Sequence, residues 1–92
     1  MKDIKEILIQ ESKVEDVYNH FVSERIKLFE MISPYMSKNF PMESTYIDRM
    51  PGDGIVMITE FPDGVRVYPF NQIIDLISRG VTEIHRYDLV AI

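Results

Sequence analysis

The chain has 92 residues and a formal net charge of −5, from 15 Asp and Glu against 10 Lys and Arg. It has no cysteine, which excludes disulfides, thiol catalysis and thiolate metal sites, and its negative charge argues against direct binding to nucleic acid. A hydrophobic share of 46% is that of a folded domain, and the length suits a single acidic domain over 1–92 with a modest core.

No apolar run approaches the roughly 18–20 residues of a membrane span. The opening segment MKDIKEILIQES carries acids inside its apolar part and lacks a small-residue cleavage site. No signal peptide is therefore expected, and the expected compartment is the cytoplasm.

Ile4, Ile7 and Leu8 follow Asp3 at helical spacing, and Asp3 with Glu6 resembles an N-cap pair. Residues 3–10 read as a short helix, with a strand as the rival. Ser12 and Glu15 form a second start signal. Beyond it, Val14, Tyr18, Phe21, Leu28, Ile32 and Tyr35 fall on one helical stripe, widened by Val17, Val22 and Phe29. The spacing predicts one long helix over about 13–32. Ser33-Pro34 predicts a kink or break after it.

The next segments read as a meander: strand 44–50, turn 51–54 (PGDG), strand 55–61, turn 62–64 (PDG) and strand 65–70. Proline presets φ in such turns and glycine accepts the left-handed conformation. Asn71 is placed to cap a helix over 72–79, Gly80 to end it, and Asp75 and Arg79 to pair across one turn. The closing VTEIHRYDLVAI reads as a last strand. The fold expected is α+β. N-terminal helices, one of them long, pack on a small, mainly antiparallel four-strand sheet with a helix before the last strand.

Catalytic patterns find no support in the residues. His20 and His85 belong to no H-x-x-x-H or H-E-x-x-H arrangement, and His20 follows Asp16 by one helical turn, as a surface pair would. There is no G-x-S-x-G elbow, no G-K-[ST] after PGDG, and no EF-hand spacing around Asp53 or Asp63. A non-enzymatic protein without metal or cofactor is expected. The aromatic residues sit at helical core spacing or among acids, unlike a base-stacking platform.

Charge is unevenly spread. Residues 1–24 hold six acids against three lysines, whereas 25–42 hold Arg25, Lys27 and Lys38 against Glu30. In 43–65, Glu43, Asp48, Asp53, Glu60 and Asp63 face Arg49 alone. Turn chemistry accounts for the aspartates at the turn tips but not for this gathering. These five acids, with Glu11, Glu15 and Asp16 as a second group, are the candidate partner-binding surface, steered toward basic partners. The wide apolar stripe of 14–36 exceeds what four strands can cover, so a homodimer is expected.

Taken whole, this small, acidic, cysteine-free α+β chain resembles the T-even phage anti-restriction nuclease (Arn) family of DNA mimics. The resemblance extends over 1–92 and lies in length, acidity and overall character. It implies a homodimer in the bacterial host cytoplasm whose carboxylates imitate duplex phosphates. The implied targets are a McrBC-like restriction nuclease and an H-NS-like nucleoid protein. The alternative is an acidic inhibitor of another host target, such as a polymerase subunit or a CRISPR effector, acting through the sheet edge without DNA mimicry.

Overall fold

The Asp3 carboxylate accepts a hydrogen bond from the Glu6 N–H at 3.0 Å, so the first helix starts where the Asp3–Glu6 pattern places it. The structure, a computed structural model, describes residues 3–15 and 22–92. Helix α1 spans Ile4–Glu15 and helix α2 spans Val22–Ile32. Two 3-10 turns follow, Ser33–Tyr35 and Met42–Ser44. Strands β1 (Thr45–Met50), β2 (Gly54–Phe61) and β3 (Gly64–Pro69) form an antiparallel sheet in the order β1-β2-β3. Helix α3 (Phe70–Ser78) and a 3-10 turn at Arg86–Asp88 complete the described elements.

One long helix over 13–32 is not what forms. The Gln10 amide donates to the Glu24 carbonyl at 3.0 Å and to its carboxylate at 2.6 Å. Residues 14 apart in a continuous helix would stand about 21 Å apart. Gln10 and Glu24 therefore belong to two helices packed side by side. Ser12 and Lys13 lie inside α1, because Asp3 already caps it and Ile7, Gln10 and Val14 continue one buried face through that point. Val17, Tyr18 and Phe21, which carry the continuous stripe in the sequence, lie outside the described residues. The break at Ser33-Pro34 is present: α2 ends at Ile32, and the 3-10 turn follows with proline in its first turn.

The sheet alternates as strands must. Ile47, Ile55, Met57, Phe61 and Tyr68 face the helices and join Ile7, Val14, Leu28, Ile32, Phe70, Ile73 and Ile77 in one core. Thr45 and Thr59 are also buried on this face. Their hydroxyls meet at 3.1 Å, and Thr45 Oγ1 lies 2.8 Å from the Pro41 carbonyl. The carbonyl can only accept, so Thr45 donates to it and Thr59 donates to Thr45. Residues 51–53 form the first turn, with Gly52 at φ +85°. Pro62 and Asp63 form a second turn of two residues, since Phe61 pairs with Gly64.

The sheet has three strands rather than four, and α3 follows the last strand rather than preceding one. Residues 81–92 make a single parallel bridge, Ile84 to Met36, through Ser37 N–H to Ile84 O at 2.8 Å and Ile84 N–H to Tyr35 O at 2.7 Å. The rest of the segment spends its backbone groups elsewhere. The Asp88 carboxylate accepts the His85 N–H at 2.8 Å. The Gln72 amide takes both backbone groups of Val90, accepting its N–H at 2.8 Å and donating to its carbonyl at 2.7 Å. The Ile92 N–H reaches Val67 O at 2.8 Å.

Helix α3 begins at Phe70, with Asn71 inside it and no side-chain cap. It ends as expected. Gly80, at φ +91°, donates to Ile77 O, and Val81 donates to Leu76 O. This is a Schellman closure, which requires the left-handed conformation that glycine adopts at least cost. Arg79 Nε donates to the Asp75 carboxylate at 3.0 Å. Among the described residues, no helix is long and apolar enough to cross a membrane.

Candidate protein-binding surface

The meander acids divide into engaged and free groups. Asp48 on β1 accepts Arg25 Nη1 at 2.8 Å. Asp63, at the tip of the second turn, is gripped by Arg86 through both terminal nitrogens, at 3.1 and 2.7 Å. Arg66 Nη2 adds a third contact at 3.3 Å. The Arg86 hydrogen bonds hold the Asp63 carboxyl below the usual aspartate range, and Asp63 raises Arg86 in return. The same guanidinium stands 4.0 Å from the centre of the Phe61 ring.

Glu43, Asp53 and Glu60 are exposed, and among the described residues no hydrogen bond or ion pair engages their carboxylates. Glu11 is half-buried on α1. Glu15 closes α1, and Asp16 lies outside the described residues.

The strand register separates these acids. Thr45 pairs with Thr59 and Phe61 with Gly64. Glu43, Glu60 and Asp63 therefore gather at one end of the sheet. Asp48 sits mid-strand, opposite Val56, and Asp53 caps the far end. Seven steps along β2 separate the two ends, about 23 Å at strand rise. The acids thus flank the sheet instead of forming one cluster.

Two apolar features accompany them. Alternation turns Tyr46, Met50, Ile58, Val65 and Val67 away from the helices, on the same face as Asp48 and Glu60, while Val56 on that face is fully buried. Tyr46 is 53% exposed and Val65 57%, too much for residues that simply extend the core. The second feature is a groove of about 410 Å³ between α2 and β1, lined by Arg25, Ile26, Phe29, Glu30, Tyr46 and Ile47 among others. It runs beside the edge of β1, which among the described residues pairs only with β2. An open edge presents backbone N–H and C=O groups that another strand can take up. The β3 edge differs, because the Ile92 N–H already occupies Val67 O.

Charge counting misses which acids are neutralised, because Arg25–Asp48 and Arg86–Asp63 are each pairs 23 residues apart. It also misses the groove. Exposed Ile26 and Tyr46 are its only sequence signal, and each reads equally well as a core position. What the surface offers is contact: free carboxylates, a partly apolar sheet face and a strand edge.

No protein-family model, curated protein or solved structure matches this chain.

Proposed function

We propose that this chain is a binding protein that competes with DNA for the basic surface of a host DNA-binding protein, of the McrBC-like restriction-nuclease or H-NS-like nucleoid class. One observation carries the reading. Among the described residues, every arginine except Arg49 is engaged by an acid, and Glu43, Asp53 and Glu60 are left facing solvent. The negative field is therefore not cancelled where these three side chains project, and it steers association with cationic surfaces. The reading involves no bond-making step and no cofactor.

Magnitude limits the imitation. The molecule is 34 Å long, and duplex DNA of that length carries about 20 charges at one per 1.7 Å. One chain at −5 is sparse by comparison, and two copies together come nearer. Binding should be tested by titrating duplex DNA into a preformed complex with a purified nucleoid protein or restriction nuclease. Displacement, and affinity falling steeply with salt, supports the reading. A stable ternary complex with DNA removes it.

The exposed apolar face around Tyr46, Ile58, Val65 and Val67 favours a second reading. In it the chain inhibits another host target, such as a polymerase subunit or a CRISPR effector, without imitating DNA. Binding would then resist salt and ignore duplex DNA.

A further inference from the structure

We infer that the depression beside the C-terminal segment, framed by Arg66, Arg86 and Tyr68, binds an organic carboxylate: one singly charged oxyanion carried on an apolar or aromatic body. The inference is independent of the partner proposed above, because it concerns cations rather than the free acids. Three observations carry it: two arginines that share one acid, a buried phenol without an acceptor, and an apolar wall beside them.

The charge at this place does not cancel. Asp63 Oδ2 accepts Arg86 Nη2 at 2.7 Å and Arg66 Nη2 at 3.3 Å, so one carboxylate is held between two guanidiniums. Among the described residues no other acid lies within ion-pair distance of either arginine. A single positive charge is therefore left over, on a chain whose net charge is −5. Arg66 Nη1 also donates to the Val65 carbonyl at 3.1 Å. These contacts still leave N–H groups on both guanidiniums for a further acceptor. Arg66 can fold back in this way because Gly64 has no side chain: a Cβ there would meet Arg66 Nη1 at 3.0 Å.

Tyr68 supplies a neutral donor. It is 2% exposed, belongs to the core and lines the same depression. The phenol lies beside Arg86, and among the described residues nothing accepts its proton. Burial raises the phenol above its ordinary value, so the proton stays on the oxygen at neutral pH. A buried hydroxyl proton without an acceptor costs free energy that a ligand oxygen recovers. Arg66, Arg86 and Tyr68 all donate, and one positive charge remains among them. That set fits an oxygen acceptor with one negative charge.

The surroundings select the body of the ligand. The depression has a volume of about 510 Å³, within the usual range for small-molecule sites. Leu89 and Ala91 line it, as does Tyr87, which is 94% exposed. An aliphatic or aromatic group lying there leaves water, while its carboxylate meets the guanidinium fork in the planar, two-oxygen geometry that arginine favours. A phosphate monoester carries nearly two charges at neutral pH and would bring the second against Asp63 without compensation. The site is open, so binding in about the millimolar range is expected.

Benzoate is the probe, titrated into the isotope-labelled 92-residue chain at fixed ionic strength and followed by the NMR shifts of backbone amides and arginine Nε–H groups. Saturable shifts at residues 66, 68 and 86–91 are expected. Benzyl alcohol keeps the ring without the charge, and acetate keeps the charge without the ring. Each should bind at least about tenfold more weakly than benzoate, and inorganic phosphate should also bind more weakly. Tyr68→Phe keeps the ring in the core and removes the donor, whereas Arg66→Gln leaves the Arg86–Asp63 pair in place. Each should weaken benzoate binding about five- to tenfold. Circular dichroism of each variant separates lost binding from lost folding; should Arg66→Gln unfold, Tyr68→Phe alone decides. Shifts that fail to saturate, or that spread equally to Arg79, overturn the inference. So does phosphate, acetate or benzyl alcohol binding as tightly as benzoate, or either folded variant binding benzoate like the wild type.

Discussion

Arg86 and Asp63, 23 residues apart, form a two-nitrogen ion pair at 3.1 and 2.7 Å that ties the C-terminal segment to the β2–β3 turn. The contact makes Asp63 part of the fold's closure rather than a free surface acid.

Its pH dependence has a definite sign. The folded carboxyl is held below its ordinary value, chiefly by the Arg86 hydrogen bonds. The unfolded chain therefore takes up the proton first as pH falls. The stabilisation is fully present above the ordinary aspartate pKa of about 3.9 and is lost as pH drops through the lower folded value. Urea midpoints measured from pH 7 to pH 2.5 should show this loss in the wild type. In Arg86→Gln the acid limb should be shallower and the neutral-pH midpoint lower. Equal acid limbs in the two proteins would show that Asp63 does not use the pair.

Gln10 joins α1 to α2 as a buried amide with two acceptors on Glu24. Gln10→Leu keeps the volume but removes both hydrogen bonds and leaves the Glu24 carbonyl without this donor. It should cost roughly 1–2 kcal/mol, measured by urea unfolding. Gln10→Glu should cost more at neutral pH, because it buries a second carboxylate against Glu24.

The buried threonine pair is directional. Thr45→Val deprives both the Pro41 carbonyl and the Thr59 hydroxyl of their partner, and should cost about 2–3 kcal/mol. Thr59→Val removes only the bond that Thr45 accepts and should cost about 1 kcal/mol. Equal losses in chemical denaturation would contradict the assigned donor order.

Local chemistry made part of this fold legible. Asp3 with Glu6 marks the start of α1, Pro and Gly mark both meander turns, and Gly80 marks the end of α3. Each is settled within a few residues, so the sequence carries it. The division into α1 and α2 is settled by Gln10 reaching Glu24, and nothing in the 14–35 stripe signals that contact. The false last strand has the same origin. The segment is rich in apolar residues, but the Gln72 side chain and the Asp88 carboxylate take backbone groups that a neighbouring strand would need. Among the candidate acids, exposure follows from Asp53 lying in the first turn and Glu60 lying near the end of β2 on the face turned away from the helices. The pairing of Asp48 with Arg25 and of Asp63 with Arg86 depends on tertiary approach, so a charge count treats all four acids alike.

If the unpaired acids engage a cationic partner, their removal should act on the encounter. The most direct measurement is the association rate of Asp53→Asn/Glu60→Gln with a purified DNA-binding partner, at low and moderate salt. Among the described residues, neither side chain takes part in an ion pair of the fold. An unchanged melting temperature, a slower association rate and a little-changed dissociation rate are expected, with the difference shrinking as salt rises. Removing the two charges should weaken binding by roughly 0.4–2 kcal/mol in all, at about 0.2–1 kcal/mol for each exposed contact. Association and dissociation rates equal to those of the wild type at both salt concentrations would contradict a role for these acids in binding.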